Sequence, residues 1–190
     1  MTKDLHKLTS KELGRLFPIV ISEPNQQWPD LFVEEKNRII ALLGAQTAIR
    51  IEHIGSTAVP GLAAKPTIDM LVEVPEGADI KARIIKIMTS NSYYYMHEQT
   101  DHLMFVKGYT PQGFKGQSYH IHMGPKDDDG LWDRLYFRDY LRADPELARE
   151  YAKLKQQLAS NYKFDRDAYT EAKSEFIEKA TRDAVKTLKH

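Results

Sequence analysis

The spacing of apolar positions changes period several times along the chain, and each change predicts an element. In WPDLFVEEKNRIIALLG, residues 28–44, Leu31, Phe32, Ile39, Ile40 and Leu43 fall on one broad face, with Pro29 near the start and Gly44 at the end, the pattern of a helix. TAIRIEHIG alternates instead. Ile49, Ile51 and His53 share one face and Arg50, Glu52 and Ile54 the other, so it predicts a strand running into a Gly-Ser turn. PTIDMLVEV is apolar on both faces apart from Asp69 and Glu73, which predicts a buried, central strand. A helix at roughly 79–90 follows, then three strand-like segments, YYYMH, HLMFVKG and SYHIHM, with YTPQGFKGQ as a hairpin loop between the last two. Near the N-terminus, LTSKELGRLF predicts a short helix with Thr9 and Glu12 as a capping box, and PIVIS, 18–22, reads as a strand.

After residue 126 the pattern is wholly helical. Asp144 and Pro145 mark a helix start, and Leu147, Tyr151, Leu154 and Leu158 form one face of the helix they open. A last helix at about 167–188 carries Tyr169, Ala172, Phe176 and Ala180 on a comparable stripe. The order predicts an α/β (α+β) fold: a mixed α/β core over 1–126 and a helical subdomain over 127–190, packed as a single compact body.

Composition narrows the functions. A chain of 190 residues can bury a core of its own. Lys+Arg and Asp+Glu number 27 each, so no global field draws the chain to nucleic acid or an anionic membrane. With no cysteine, a metal site must be built from His and carboxylates. No apolar run approaches the length of about 20 residues that spans a bilayer, and MTKDLHKLTSKEL lacks the apolar stretch of a signal peptide, so a cytoplasmic location is expected.

The chemistry gathers around residues 52–69. A strand ending in Gly55-Ser56-Thr57 can aim backbone N–H groups at an anion, with two hydroxyls beside them, and Lys65 can add an ammonium. The same residues could equally be a turn with a local hydroxyl cap and an exposed lysine. Asp69 is harder to explain as structure, because a carboxylate in an apolar strand costs several kcal/mol to bury unless it is paired or binds a metal. In SYHIHM, His120 and His122 project from one face roughly 7 Å apart. If that strand lies beside Asp69, the three form a 2-His-1-carboxylate metal set with Glu52 as an additional ligand; otherwise the histidines serve as acid-base groups or line a groove. From the helical half, Arg138 and Lys173 could reach a phosphate across a cleft, since the residues four away from Arg138, Arg134 and Arg142, are themselves basic and the adjacent Asp139 is expected to point elsewhere. Tyr169 is explained by core packing, Tyr93 to Tyr95 by sheet surface and core, and the acidic run 127–129 by helix capping.

EHIGSTAVPGLAAKPTIDMLVEV, together with YHIHM, FRDYLR and YTEAKSEFI, resembles the GrpB family over nearly the whole chain. The resemblance implies a nucleotidyltransferase superfamily fold and a module that also occurs fused behind dephospho-CoA kinase, where it is thought to help the kinase fold. Enzymes of that superfamily follow a Gly-Ser turn with a strand bearing two carboxylates one residue apart. Gly55, Ser56 and Asp69 match, but Leu71 stands where the second carboxylate belongs, and Glu73 is roughly 13 Å from Asp69 along the strand.

Two functions follow as expectations. One is a metal-dependent transferase, using Mg, Mn or Zn, that moves a nucleotidyl or related group from a nucleoside triphosphate or other phosphate-bearing small molecule to an unknown acceptor. Gly55, Ser56, Thr57, Lys65, Arg138 and Lys173 would hold phosphates, and Asp69, His120 and His122 would be the catalytic and metal residues. The other is a non-catalytic nucleotide-binding or folding-assistance module.

Overall fold

The computed structural model describes residues 8–96 and 102–188. In chain order these form α1 (Ser10–Leu16), α2 (Trp28–Leu43), β1 (Arg50–Ile54), a 3₁₀ turn (Ser56–Ala58), β2 (Thr67–Glu73), α3 (Ala78–Ser90), β3 (Tyr94–Tyr95), β4 (Leu103–Thr110), β5 (Gly113–Gly124), α4 (Asp129–Trp132), α5 (Arg134–Ala143), α6 (Pro145–Asn161), α7 (Arg166–Glu171) and α8 (Ser174–Leu188). The strands make one mixed sheet in the order β1-β2-β5-β4-β3, parallel between β2 and β5 and antiparallel elsewhere.

Strand alternation divides the sheet into two working faces. Ile68, Met70 and Val72 of β2 and Ile121 and Met123 of β5 turn to one side, where they are fully buried with Ile39 of α2 and Ile84 and Met88 of α3. Each such side chain contributes about 1.5–3 kcal/mol relative to exposure, which anchors β2 at the centre. The alternate residues, Thr67, Asp69 and Leu71 with His120 and His122, face the other way, towards the C-terminal helices. There Phe137 and Leu141 of α5, Tyr151 of α6 and Ala180 of α8 pack with Val59 and Leu62 from the chain just after the 3₁₀ turn.

Several predicted elements appear with their predicted caps. Thr9 and Glu12 form a reciprocal capping box, and the Asp144 carboxylate accepts from the backbone N–H groups of Glu146 and Leu147 ahead of Pro145. Within the acidic run, the Asp128 carboxylate accepts from Leu131 N–H. Other expectations need correction. PIVIS is not a strand: only Ser22 bridges, to Ala64, while Ile19 is buried against Leu158 and Tyr169 of the helices, so its apolar pattern serves helix packing. The long hairpin loop is mostly strand, since pairing continues to Thr110 opposite Gly113 and leaves two residues to turn. Of YYYMH only Tyr94–Tyr95 pair, Tyr93 is core, and His97 lies outside the described residues. The last helix is two helices broken at Ala172–Lys173, so its continuous stripe feeds two clusters, Tyr169 one and Phe176 and Ala180 the other. Among the described residues no helix is long and apolar enough to cross a membrane.

Candidate functional site

Between the polar face of the sheet and helices α5–α8 lies a cleft of about 780 Å³. Gly55 and Ser56 line it from the turn, Asp69, His120 and His122 from the sheet, and Lys65, Tyr151, Lys155, Arg166, Tyr169 and Lys173 complete its lining. Volume and lining fall within the range of small-molecule sites.

The turn and Asp69 are built as a unit. Ile54 is opposite Asp69 in the β1–β2 ladder, so the chain must turn directly over the carboxylate. Gly55 does so at φ +69°, ψ −173°, a conformation closed to other residues, and a Cβ there would sit 2.3 Å from Asp69 Oδ2. Ser56 then faces the cleft beside the Tyr151 hydroxyl.

Parallel pairing places His120 beside Asp69, as the sequence required of any joint site. His120 Nδ1 is 3.2 Å from Asp69 Oδ1, and His120 Nε2 is 2.7 Å from the Tyr109 hydroxyl. Burial alone would raise the pKa of Asp69, but the hydrogen bond and charge of His120, with smaller pulls from His122 and Lys65, together hold it at about 2. Burial lowers His120 below its ordinary value despite Asp69, so at neutral pH it is an uncharged imidazole. An ionised carboxylate only accepts, so Nδ1–H donates to Asp69 and the Tyr109 O–H donates to Nε2. Both nitrogens of His120 are thus committed. His122 Nδ1 is 2.8 Å from His102 Nε2, and burial, with the charge of Arg134 next, keeps His122 well below its usual pKa.

This geometry does not support the 2-His-1-carboxylate set: among the described residues no three His, Asp or Glu side chains converge as a metal-binding group. Glu52, proposed as an additional ligand, is instead paired with Arg50 and Arg138, each at 2.9 Å. The second carboxylate position is closed as well as empty, because Leu71 is fully buried against Ile54 and Leu131. Of that set Asp69 remains, an ionised carboxylate on the sheet side of a cleft whose helical side also carries Asp133 and Glu178. A lone protein carboxylate of this kind could hold a divalent ion only together with oxygens that a ligand brings.

Two expected phosphate ligands are used otherwise. Thr57 is buried and its hydroxyl donates to Thr67 O at 3.1 Å, so His53 Nε2–H donates to it at 3.0 Å. His53 itself stacks on Phe32 at 4.8 Å and is pushed down to about 4, by burial first and then against the pull of Asp69. The Arg138 fork grips Asp139 at 2.7 and 3.0 Å, contrary to the expectation that Asp139 points away, while its Nη1 donates to Glu52 and to His53 O. Arg142 donates twice to Ala58 O, at 3.0 and 2.8 Å. These two arginines pin α5 to β1 and to the 3₁₀ turn, and Arg138 does not line the cleft.

Lys65 and Lys173 do line it, and further cations that the sequence did not single out as ligands join them, Lys155 and Arg166 among them. Lys155 Nζ donates to Ala63 O at 2.6 Å, and Arg166 donates to Phe17 O at 3.0 Å with its guanidinium 5.8 Å from the Tyr109 ring centroid. The only signal for Lys155 was a lysine inside the apolar stripe of α6, flanked by Leu154 and Leu158. Lys65 and Lys173 lie 5.6 and 4.4 Å from the Tyr169 ring centroid. Burial first, then Arg166 and Lys173, pushes Lys65 down to about 8; burial and Lys173 push Lys155 down to about 7, with Asp69 opposing in both. Like charges held this close, with too few carboxylates to balance them, describe a site that favours anions.

The chain matches the family model described as GrpB protein over residues 18–183. It is 36% identical over 178 residues to the UPF0157 protein YqkA of Bacillus subtilis, covering 87% of this chain and 47% of that protein, so it spans about half of that relative. A dephospho-CoA kinase of Mycolicibacterium paratuberculosis aligns at 26% identity over 94% of this chain and 49% of its own length. The crystal structure of GrpB from Enterococcus faecalis superposes with a TM-score of 0.77 at 31% identity, covering 90% of this chain and all of that one. The Cid1 poly(U) polymerase with MgGTP bound superposes with a TM-score of 0.52 at 15% identity over 86% of this chain and 52% of its own, a likeness of fold. With a fold like that of the Enterococcus faecalis protein and a family model matching most of its length, the chain belongs to the GrpB family.

Proposed function

We propose that the chain binds a nucleoside triphosphate, or another small molecule carrying several phosphates, in the cleft and transfers a phosphate-bearing group from it to an acceptor. The observation that carries this reading is the charge of the lining: six Lys and Arg, namely Lys65, Arg134, Lys155, Arg166, Lys173 and Arg182, against Asp69, Asp133 and Glu178. Lys65, Lys155, Arg166 and Lys173 contact phosphate oxygens, with the Ser56 hydroxyl as a further donor. Asp69, ionised far below neutral pH, is a weak base and a good cation ligand. His120, held by Tyr109, keeps its carboxylate in place. A divalent ion carried in on the phosphates would have Asp69 as its protein ligand and would neutralise charge at the group being transferred. The likeness of fold to a polymerase with bound MgGTP favours a nucleotide among such ligands.

The sealed position at Leu71 favours a second reading, in which the cleft binds its ligand without turnover; the alignment with half of a dephospho-CoA kinase is consistent with such a module. Incubation with ATP, GTP, CTP and UTP and Mg or Mn, followed by measurement of released pyrophosphate, separates the two. Release that Asp69→Ala abolishes supports transfer. Saturable binding with no release across an acceptor screen supports the module.

A further inference from the structure

A smaller cavity of about 320 Å³ lies against the cleft, and the two share Lys65, Thr67 and Arg166 in their walls. Its outer wall is apolar, formed by Pro18, Val20, Pro66 and Phe114. Val20 and Phe114 are 53% and 47% exposed, so the two present adjoining apolar surface along this wall. The Phe114 ring is nonetheless fixed, edge-on to Phe17 at 5.1 Å and near Tyr109 at 5.2 Å, so one ring face is held ready without ordering cost. At the inner end Arg166 is anchored by Phe17 O and the Tyr109 ring, contacts that leave donors of its five N–H groups for a ligand.

We propose that this cavity is a second binding site, for an acceptor that carries a flat aromatic ring and an anionic group, the ring against Phe114, Val20 and Pro66 and the anion on Arg166 and Lys65, which stand in the walls of both cavities and keep other N–H donors for phosphates in the cleft. The position fits an acceptor. Thr67 lies two residues before Asp69 on the same face of β2, about 7 Å along the strand, so a molecule in the cavity ends beside the carboxylate. The cleft is large enough for a whole nucleotide, which leaves the smaller cavity to a different molecule. The role as acceptor site rests on the transfer reading above; the preference for an aromatic anion does not.

The test titrates the full chain with phenyl phosphate, inorganic phosphate and ATP. Phenyl phosphate should bind roughly tenfold more tightly than inorganic phosphate, the advantage of one stacked ring. Val20→Trp, at an exposed position, should fill the cavity and remove that advantage while leaving ATP affinity and thermal stability unchanged. Arg166→Gln should weaken both phosphates. Phenyl phosphate should still bind when ATP is saturating. Equal affinity for the two phosphates, or an advantage that survives Val20→Trp, overturns the site, and displacement of phenyl phosphate by ATP overturns its role for a separate acceptor. If ATP does not bind but the ring preference persists and responds to Val20→Trp, the nucleotide reading fails and the aromatic-anion site stands.

Discussion

Lys155 is a cation that the fold holds at a cost. The residue is 2% exposed, and its ammonium donates to the Ala63 carbonyl and is pushed down to about 7 by burial and by Lys173. Because the folded pKa lies below the unfolded value, the unfolded chain binds more protons between about pH 7 and 10.5, and stability must rise with pH across that window. Lys65, pushed down to about 8, adds to the rise from pH 8 upward. Denaturant titration at pH 7 and pH 9 should show a gain on the order of 1 kcal/mol or more, and Lys155→Met should flatten it. Asp69 acts in the same direction at lower pH: its stabilisation is present above about 3.8 and lost as pH falls towards 2. At Gly55 the constraint is steric. Gly55→Ala sets a Cβ against Asp69 Oδ2 in a backbone conformation reserved for glycine, and should destabilise by about 1–3 kcal/mol in urea unfolding while abolishing anion binding.

Helix α5 is tied to the sheet through Arg138, and the tie explains why the basic stripe Arg134, Arg138 and Arg142 is not a phosphate grip. Arg138→Lys keeps the charge but loses the fork that joins Asp139, Glu52 and His53 O. Unfolding by heat should show a loss of about 1–3 kcal/mol, with ATP affinity in the folded variant within roughly threefold of wild type; a selective loss of ATP affinity at unchanged stability would restore Arg138 to the binding site. Helix α4 has a matching role at Leu71. Restoring the missing carboxylate by Leu71→Asp buries a charge against Ile54 and Leu131, so the variant should lose roughly 3 kcal/mol or more in chemical denaturation rather than gain a metal site. The periodicities of α2, β1, β2, α3 and α6 were legible because burial on one face decides those residues locally. The positions of Thr57, Glu52 and Arg138 were not, because their hydrogen-bond partners come from tertiary contacts that neither spacing nor residue type encodes. For the same reason the break between α7 and α8, which turns Lys173 into the cleft, was hidden inside a continuous apolar stripe.

At the scale of the whole molecule, a neutral chain concentrates positive charge in one place. Lys+Arg and Asp+Glu balance at 27 each, yet the cleft carries an excess of cations. A balanced total hides that patch from composition, although two of its members, Lys65 and Lys173, and the carboxylate they face, Asp69, were readable from the sequence. The unliganded cleft is therefore partly deprotonated near neutral pH, and a polyphosphate that enters it must draw protons onto Lys155 and Lys65. Calorimetric titration of ATP with Mg into the full chain at pH 8, in two buffers of different ionisation enthalpy, measures both binding and proton uptake. Saturable binding with net uptake of protons is expected, reduced in Lys155→Met to the share taken up by Lys65. No binding of ATP or tripolyphosphate up to millimolar concentration, or binding with no proton uptake, would contradict it.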